Sequence, residues 1–132
     1  MRILGIDYGD KKIGLAFGES DVHTAVPLEV MPNSGENLFV DLVKKVQEEQ
    51  IDFVVVGIPQ RVNSHHSSEQ LEKTQAFISQ LRSILTIPVE VEDESFTTAE
   101  SIRLQREEKS PAKEDALAAM LIVQAYLNRT MK

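Results

Sequence analysis

The sequence contains no cysteine and no tryptophan in its 132 residues. Without thiols the chain can form neither disulfides nor zinc–thiolate sites, and it has no cysteine nucleophile. It also lacks any apolar run near the roughly 20 residues of a membrane-spanning helix, and Met1-Arg2 leads into a strand-like segment with no signal-peptide pattern. We therefore expect a soluble, cytoplasmic protein that does not contact a membrane.

Positive charge is scarce as well. The chain has 14 Lys and Arg against 21 Asp and Glu, so the net charge is 14 − 21 = −7. This balance argues against a broad basic surface that binds nucleic acid by releasing counterions. It is compatible with an enzyme acting on phosphates, because bound metal ions offset the charge of nearby carboxylates. With 42% hydrophobic residues, the sequence predicts a single domain over residues 1–132.

Hydrophobic patterning predicts the element order βββαβαβαα. The β-branched run at 53–57 is typical of a strand that is covered on both faces. This order predicts an α/β fold with a mixed five-stranded sheet and helices on both faces. The predicted strands cover residues 2–7, 13–18, 25–31, 53–57 and 88–92. The first predicted helix covers residues 36–50, and three more begin at caps on Ser67, Thr97 and Ser110. The last of these helices is predicted to end at about Tyr126.

Acidic residues stand where predicted strands end and where the last helix begins. Asp7 ends the first strand, residues 92–94 (Glu-Asp-Glu) end the fifth, and Asp115 opens an otherwise apolar helix. Taken singly, a turn-forming bond explains Asp7 and helix dipoles explain the others. Together they can converge at one edge of the sheet, where their oxygens suit Mg²⁺ or Mn²⁺. The sequence therefore favours a nuclease that uses two metal ions, and the three adjacent acids imply a positive group nearby.

Four motifs carry a family resemblance. They are DYG at 7–9 with IG at 13–14, VVGIP at 55–59, DESFTT at 93–98 and DALAA at 115–119. In this order and spacing they resemble the YqgF/RuvX family, which has an RNase H-like fold. The family is described as Holliday junction resolvases and as nucleases that mature the ends of pre-16S ribosomal RNA.

The resemblance implies specific roles for the acids. Asp7, Glu94 and Asp115 match the family's catalytic residues, which would also hold Mg²⁺ or Mn²⁺, with two ions expected. Asp93 is an alternative to Glu94 as the central of the three catalytic acids. Strand alternation places Asp93 on the face of Val89, whereas Glu94 shares the other face with the remaining glutamates of the strand. Register is weakly defined so near a strand end, so alternation does not decide between them. The resemblance alone favours Glu94.

Nucleic acid is the expected substrate, and basic residues near the acids are its candidate contacts. The resemblance also exposes a departure, because Lys12 and Ser95 stand where the family usually has arginine, which predicts a weaker grip on phosphate. No aromatic stacking platform is evident in the sequence, so it does not distinguish RNA from DNA. The candidate substrate-binding residues are Lys11, Lys12, Arg61, Arg103 and Lys113.

Three functions follow from these observations. The first is processing of pre-16S ribosomal RNA ends, and the second is resolution of Holliday junctions. The third is a scaffold or regulator that retains the fold with little or no activity, which the acidic surface and the missing arginines favour. Retention of all three acids argues for an active hydrolase. A resolvase cutting two symmetric strands would be a homodimer, whereas a nuclease acting on RNA ends can be a monomer.

Overall fold

A computed structural model describes residues 1–58, 68–93 and 114–130 of the chain. Its strands form one sheet in the order β3-β2-β1-β4-β5, in which β1, β4 and β5 are parallel and β2 is antiparallel to both of its neighbours. The predicted mixed five-stranded sheet is therefore confirmed. The strands are β1 (Arg2–Tyr8), β2 (Lys12–Glu19), β3 (Thr24–Pro32), β4 (Phe53–Ile58) and β5 (Val89–Asp93), and the helices are α1 (Glu36–Glu48), α2 (Ser68–Ile84) and α3 (Glu114–Thr130).

One face of the sheet carries large aliphatic side chains and is covered by α1 and α2. Alternate positions along β1 and β2 supply these side chains, because successive residues of a strand point to opposite faces. Helix α1 contributes buried residues at a spacing of four, which is the stripe that its sequence predicted. The buried residues of this core are Leu4, Ile6, Ile13, Leu15, Leu38, Leu42, Val46, Ile51, Val54, Val56, Phe77, Ile78, Leu81 and Val89.

The opposite face is built from small residues where α3 crosses it. Gly5 of β1 and Ala16 of β2 are paired across the strands, and both are buried. A Cβ added at Gly5 would collide with the side chain of Val123 and would lie 3.0 Å from the carbonyl oxygen of Ala119. A Cβ at Gly18 would meet the other methyl group of Val123. The absence of side chains at these positions therefore lets the backbone of α3 lie directly against the sheet.

Two helix ends differ from the sequence-based prediction. Helix α1 ends at Glu48 rather than at residue 50, because Gln50 has a φ of 54° and the amide of Ile51 donates to the carbonyl of Val46, which closes the helix as a Schellman motif. Helix α3 continues to Thr130 rather than ending near Tyr126, because Leu127 is fully buried against the sheet.

The remaining helix predictions fall outside the part of the chain that the structure describes. These are the caps at Ser67 and Ser110 and the helix that begins at Thr97. Helices on both faces of the sheet are confirmed, since α1 and α2 cover one face and α3 covers the other. Within the described ranges, no helix is long and apolar enough to cross a membrane.

We expect Gly5→Ala to lower the free energy of unfolding by about 1–3 kcal/mol, since the added methyl group overpacks the contact with α3. Combining it with Val123→Ala should recover part of the loss, because that change removes the nearest colliding group. Gly18→Ala should cost less, since the next atom that its Cβ meets is the Cβ of Ile3 at 3.4 Å. Urea denaturation of the four proteins measures this, and a Gly5→Ala protein as stable as wild type would refute the close packing.

Candidate functional site

Asp7 is half-buried near the end of β1, on the face that α3 covers. Alternation along the strand places Asp7 with Ile3 and Gly5, of which Ile3 belongs to the core beneath α3. Its partner in β2 is Gly14, which has no side chain to occupy that side of the carboxylate. Asp7 therefore stands at the end of a central strand with a glycine beside it.

Asp115 lies in the first turn of α3, and the path of the helix relates it to Asp7. Residues 115, 119 and 123 follow one another at single-turn intervals along the helix. Val123 and the carbonyl of Ala119 both contact the Gly5 position, and Val123 also contacts the Gly18 position farther back along the sheet. The next turn toward the helix start therefore runs toward the Asp7 end of β1. The structure thus places the backbone of Asp115 and Asp7 at the same end of the same face.

Among the acids that end β5, the buried Glu92 forms an ion pair with the exposed Arg129. Glu92 is 9% exposed, and the Nε and Nη2 groups of Arg129 donate to its Oε1 at 2.9 and 2.7 Å. These hydrogen bonds raise the pKa of the Arg129 guanidinium above its ordinary value. The guanidinium carbon lies 5.5 Å from the ring centroid of Tyr126, whose own phenol pKa is raised by burial. Arg129 is thus a positive group of the kind that the adjacent acids implied.

The register of β5 bears on the choice of the central acid. Asp93 pairs with Ile58 of β4, and the side chain of Ile58 packs against the core beneath α1 and α2. Asp93 therefore shares the face of Val89, as alternation predicted, and this face is opposite that of Asp7. Glu94 lies outside the described residues, as do Arg61, Arg103 and Lys113.

Comparison with known proteins identifies the family. A family model described as "RuvX: Holliday junction resolvase" matches residues 1–129 of the chain. The chain belongs to the RuvX family. A relative from Streptococcus uberis is 37% identical over 139 residues, which cover 98% of this chain and 99% of the relative, and a Streptococcus mutans relative is 34% identical over 138 residues with the same coverage. Both relatives carry the name "Putative pre-16S rRNA nuclease".

Solved structures confirm the RNase H-like fold of this RuvX family member. RuvC of T. thermophilus, in complex with a Holliday junction substrate, superposes with a TM-score of 0.63 at 14% identity and covers 99% of this chain and 96% of its own. The fowlpox virus resolvase, in complex with Holliday junction DNA, has a TM-score of 0.61 at 13% identity, with both chains covered completely. At these identities the likeness shows the fold alone.

Three of the described basic residues lie around the turn after β1, and they fall into two groups. Lys11 and Lys12 are exposed at the turn between β1 and β2, and alternation places Lys12 on the same face as Gly14 and Asp7. Lys73 belongs to α2 instead and forms ion pairs with Asp10 and Glu69, both at 3.3 Å. The hydrogen bonds to Glu69 and then to Asp10 raise the pKa of Lys73 above its ordinary value. Lys73 is therefore already partnered by two acids, whereas Lys12 stands near the candidate site.

A metal ion at this end of the sheet would be held by the three acids that the resemblance assigns to it. The described part of the chain brings no three His, Cys, Asp or Glu residues close enough to hold a metal ion. The proposed set includes Glu94, which that part does not contain. Its donors are all carboxylate oxygens, and these are the ligands that Mg²⁺ and Mn²⁺ prefer.

An aromatic cluster at the end of β1, on the face opposite Asp7, was not found from the sequence. The rings of Tyr8 and Phe77 stack with centroids 4.4 Å apart, and the ring of Phe39 lies 5.6 Å from that of Phe77. All three rings belong to or pack against the core beneath α1 and α2. The three rings come from β1, α1 and α2, so no local pattern in the sequence reveals that they contact one another. Within each helix, the hydrophobic spacing indicates only a buried stripe.

We expect Arg129→Ala to lower the melting temperature, because the nearly buried Glu92 carboxylate would lose its partner. Arg129→Lys should lower it less, since a lysine retains the charge but not the two-pronged geometry. The double variant Glu92→Met with Arg129→Met should recover most of the loss, because an apolar pair leaves no buried charge. Thermal unfolding followed by circular dichroism measures this, and an Arg129→Ala protein that melts like wild type would contradict it.

Proposed function

We propose that this RuvX family member is a divalent-metal-dependent nuclease that hydrolyses phosphodiesters in structured RNA and processes the ends of pre-16S ribosomal RNA. One observation carries the proposal: Asp7 and the first turn of α3, with Asp115, lie at the same end of the same sheet face. The streptococcal relatives, at 37% and 34% identity over nearly the whole chain, support the choice of substrate.

In this proposal the catalytic and metal-holding residues are Asp7, Glu94 and Asp115. When bound, Mg²⁺ or Mn²⁺ would supply Lewis-acid stabilisation of the phosphate and a lower pKa for water. Asp93 is set aside as the central acid because it belongs to the opposite face. In this proposal water is the attacking group, so no covalent intermediate forms.

Basic residues would hold the phosphate backbone beside the acids. Lys12 is the described residue best placed for this role, because it is exposed and shares the face of Asp7. Such contacts position the substrate without reading its bases. The full proposed set is Lys11, Lys12, Arg61, Arg103 and Lys113.

Holliday junction resolution is the second candidate function. The description of the family model favours it, and both superposed structures contain junction DNA. A resolvase cuts two strands related by symmetry, so this function requires a homodimer, whereas processing of RNA ends requires only one copy. A scaffold without activity is the third candidate, and it is distinguished by the absence of any metal-dependent cleavage.

Cleavage of labelled precursor 16S RNA and of a four-way DNA junction, with Mg²⁺, with Mn²⁺ and with chelator, tests the proposal. We expect RNA cleavage that requires metal, and a loss of about 10²-fold or more in Asp7→Asn, because removing one charged ligand weakens the stabilisation of the transition state. Asp41→Asn, which changes an exposed aspartate of α1, should cleave like wild type. Cleavage of the junction alone would establish the second candidate instead.

The adjacent acids provide a matched pair for the central position. Glu94→Gln should abolish metal-dependent cleavage, while Asp93→Asn should leave it within about twofold of wild type, since surface changes away from the site have small effects. Single-turnover rates at saturating metal measure both variants. The reverse result would move the central role to Asp93, and full activity in both would remove this strand end from the mechanism.

A further inference from the structure

A pocket of about 240 Å³ opens on the face opposite Asp7, between α1, α2 and the end of β1. The aromatic side chains of Tyr8, Phe39 and Phe77 line it, with Phe77 buried and the other two half-buried. Its volume is below the 300–1,000 Å³ or so of pockets for drug-sized ligands, and it suits one planar ring system.

Polar groups at the rim give the pocket a means of recognising the edge of a ring. Gln80 lies on the rim and is exposed, and its side-chain amide makes no hydrogen bond to the residues that the structure describes. Asn33 holds the rim in place, because its Nδ2 group donates to the carbonyl of Gly9 at 2.9 Å. An amide offers both a donor and an acceptor, which matches the edge of a nucleobase.

The charges around the pocket disfavour an anion as the buried group. Lys73 lines the pocket, but its ammonium group is shared between Asp10 and Glu69. A phosphate placed inside would meet two carboxylates along with the one ammonium. A neutral aromatic ring fits the apolar walls and leaves these ion pairs intact.

The pocket and the candidate site lie at the same end of β1, on opposite faces of the sheet. Tyr8 directly follows Asp7, so the two side chains lie on opposite faces at the end of the same strand. The exposed Lys11 and Lys12 lie at the turn between β1 and β2, at the edge where the two faces of the sheet meet. A single strand held at Asp7 can therefore cross this turn and bring a neighbouring base to the pocket.

We propose that this pocket binds one unpaired base of the nucleic-acid substrate against the aromatic wall formed by Tyr8, Phe39 and Phe77, with the edge of the base facing Gln80. This inference rests on the proposed nuclease function and adds a requirement for single-stranded nucleic acid next to the cleaved bond. Stacking on aromatic rings tolerates every base, so the pocket selects unpaired structure rather than sequence.

Binding of short single-stranded RNA that contains 2-aminopurine, measured in chelator so that no cleavage occurs, tests the pocket. We expect the fluorescence of 2-aminopurine to be quenched on binding to the wild-type protein. Phe39→Leu should weaken binding about tenfold, within the range for loss of one stacked base. Ala76→Leu should have a similar effect, because Ala76 is exposed on the pocket wall and a larger side chain there fills the cavity without removing a core contact.

Matched controls lie on the same helices. Val40→Ala and Gln75→Ala change exposed residues of α1 and α2 that do not line the pocket, and they should bind like wild type. Gln80→Ala should weaken binding about threefold if its amide reads the base edge. Melting temperatures of all the variants separate a loss of binding from a loss of folding.

Two further results separate this inference from the nuclease proposal. A titration with free adenosine, monitored by the NMR chemical shifts of the Phe39 and Phe77 rings, tests whether the pocket binds a base without a polymer. Shifted ring signals in a protein that cleaves nothing would support the pocket and overturn the nuclease. If the protein cleaves normally, shows no quenching of 2-aminopurine and binds RNA equally well with and without Ala76→Leu, the pocket proposal is wrong and the nuclease proposal stands. The pocket would then be a candidate site for an apolar side chain of a partner protein.

Discussion

The close approach of α3 to a face of small residues is the constraint on which the rest of the structure depends. Gly5 and Gly18 leave room for Val123, and the carbonyl of Ala119 lies against the same surface. A larger residue at Gly5 would push the helix outward and would move its first turn away from the end of β1. The positions of Asp115 and Asp7 therefore follow from a packing requirement two residues farther back along the strand.

The two faces of the sheet differ in their roles: one provides most of the hydrophobic core, and the other carries the candidate site. The face beneath α1 and α2 supplies most of the large buried side chains and therefore most of the hydrophobic stabilisation. The face beneath α3 has a smaller core and carries Asp7 and Glu92, and the hydrogen bonds between Arg129 and Glu92 join the far end of the helix to β5. A site at the edge of the thinner layer can open toward a large substrate without disturbing the main core.

The sequence predicts the elements well because strand alternation and helical stripes are local patterns. It does not predict the end of α1, because the left-handed position that follows a helix is usually a glycine, and here it is Gln50. It implies a positive group near Glu92 but not which one, since Arg129 is 37 residues away along the chain. Asp7 could be singled out from its position at a strand end, whereas the aromatic cluster requires three elements to be packed together. Local patterns thus indicate which acids to consider, and the topology decides which of them share a face.

The most direct measurement of the central claim uses the absence of native cysteine. In the double variant Asp7→Cys with Asp115→Cys, the two new thiols are the only ones in the protein. If the path of α3 brings these positions together, Cd²⁺ should bind both thiolates, with an ultraviolet thiolate absorption and an affinity at least about tenfold above that of either single variant. Asp41→Cys combined with Asp7→Cys serves as the distant control, because Asp41 is exposed on α1, on the other side of the sheet. Cadmium binding no tighter than in the single variants would contradict the account of the site.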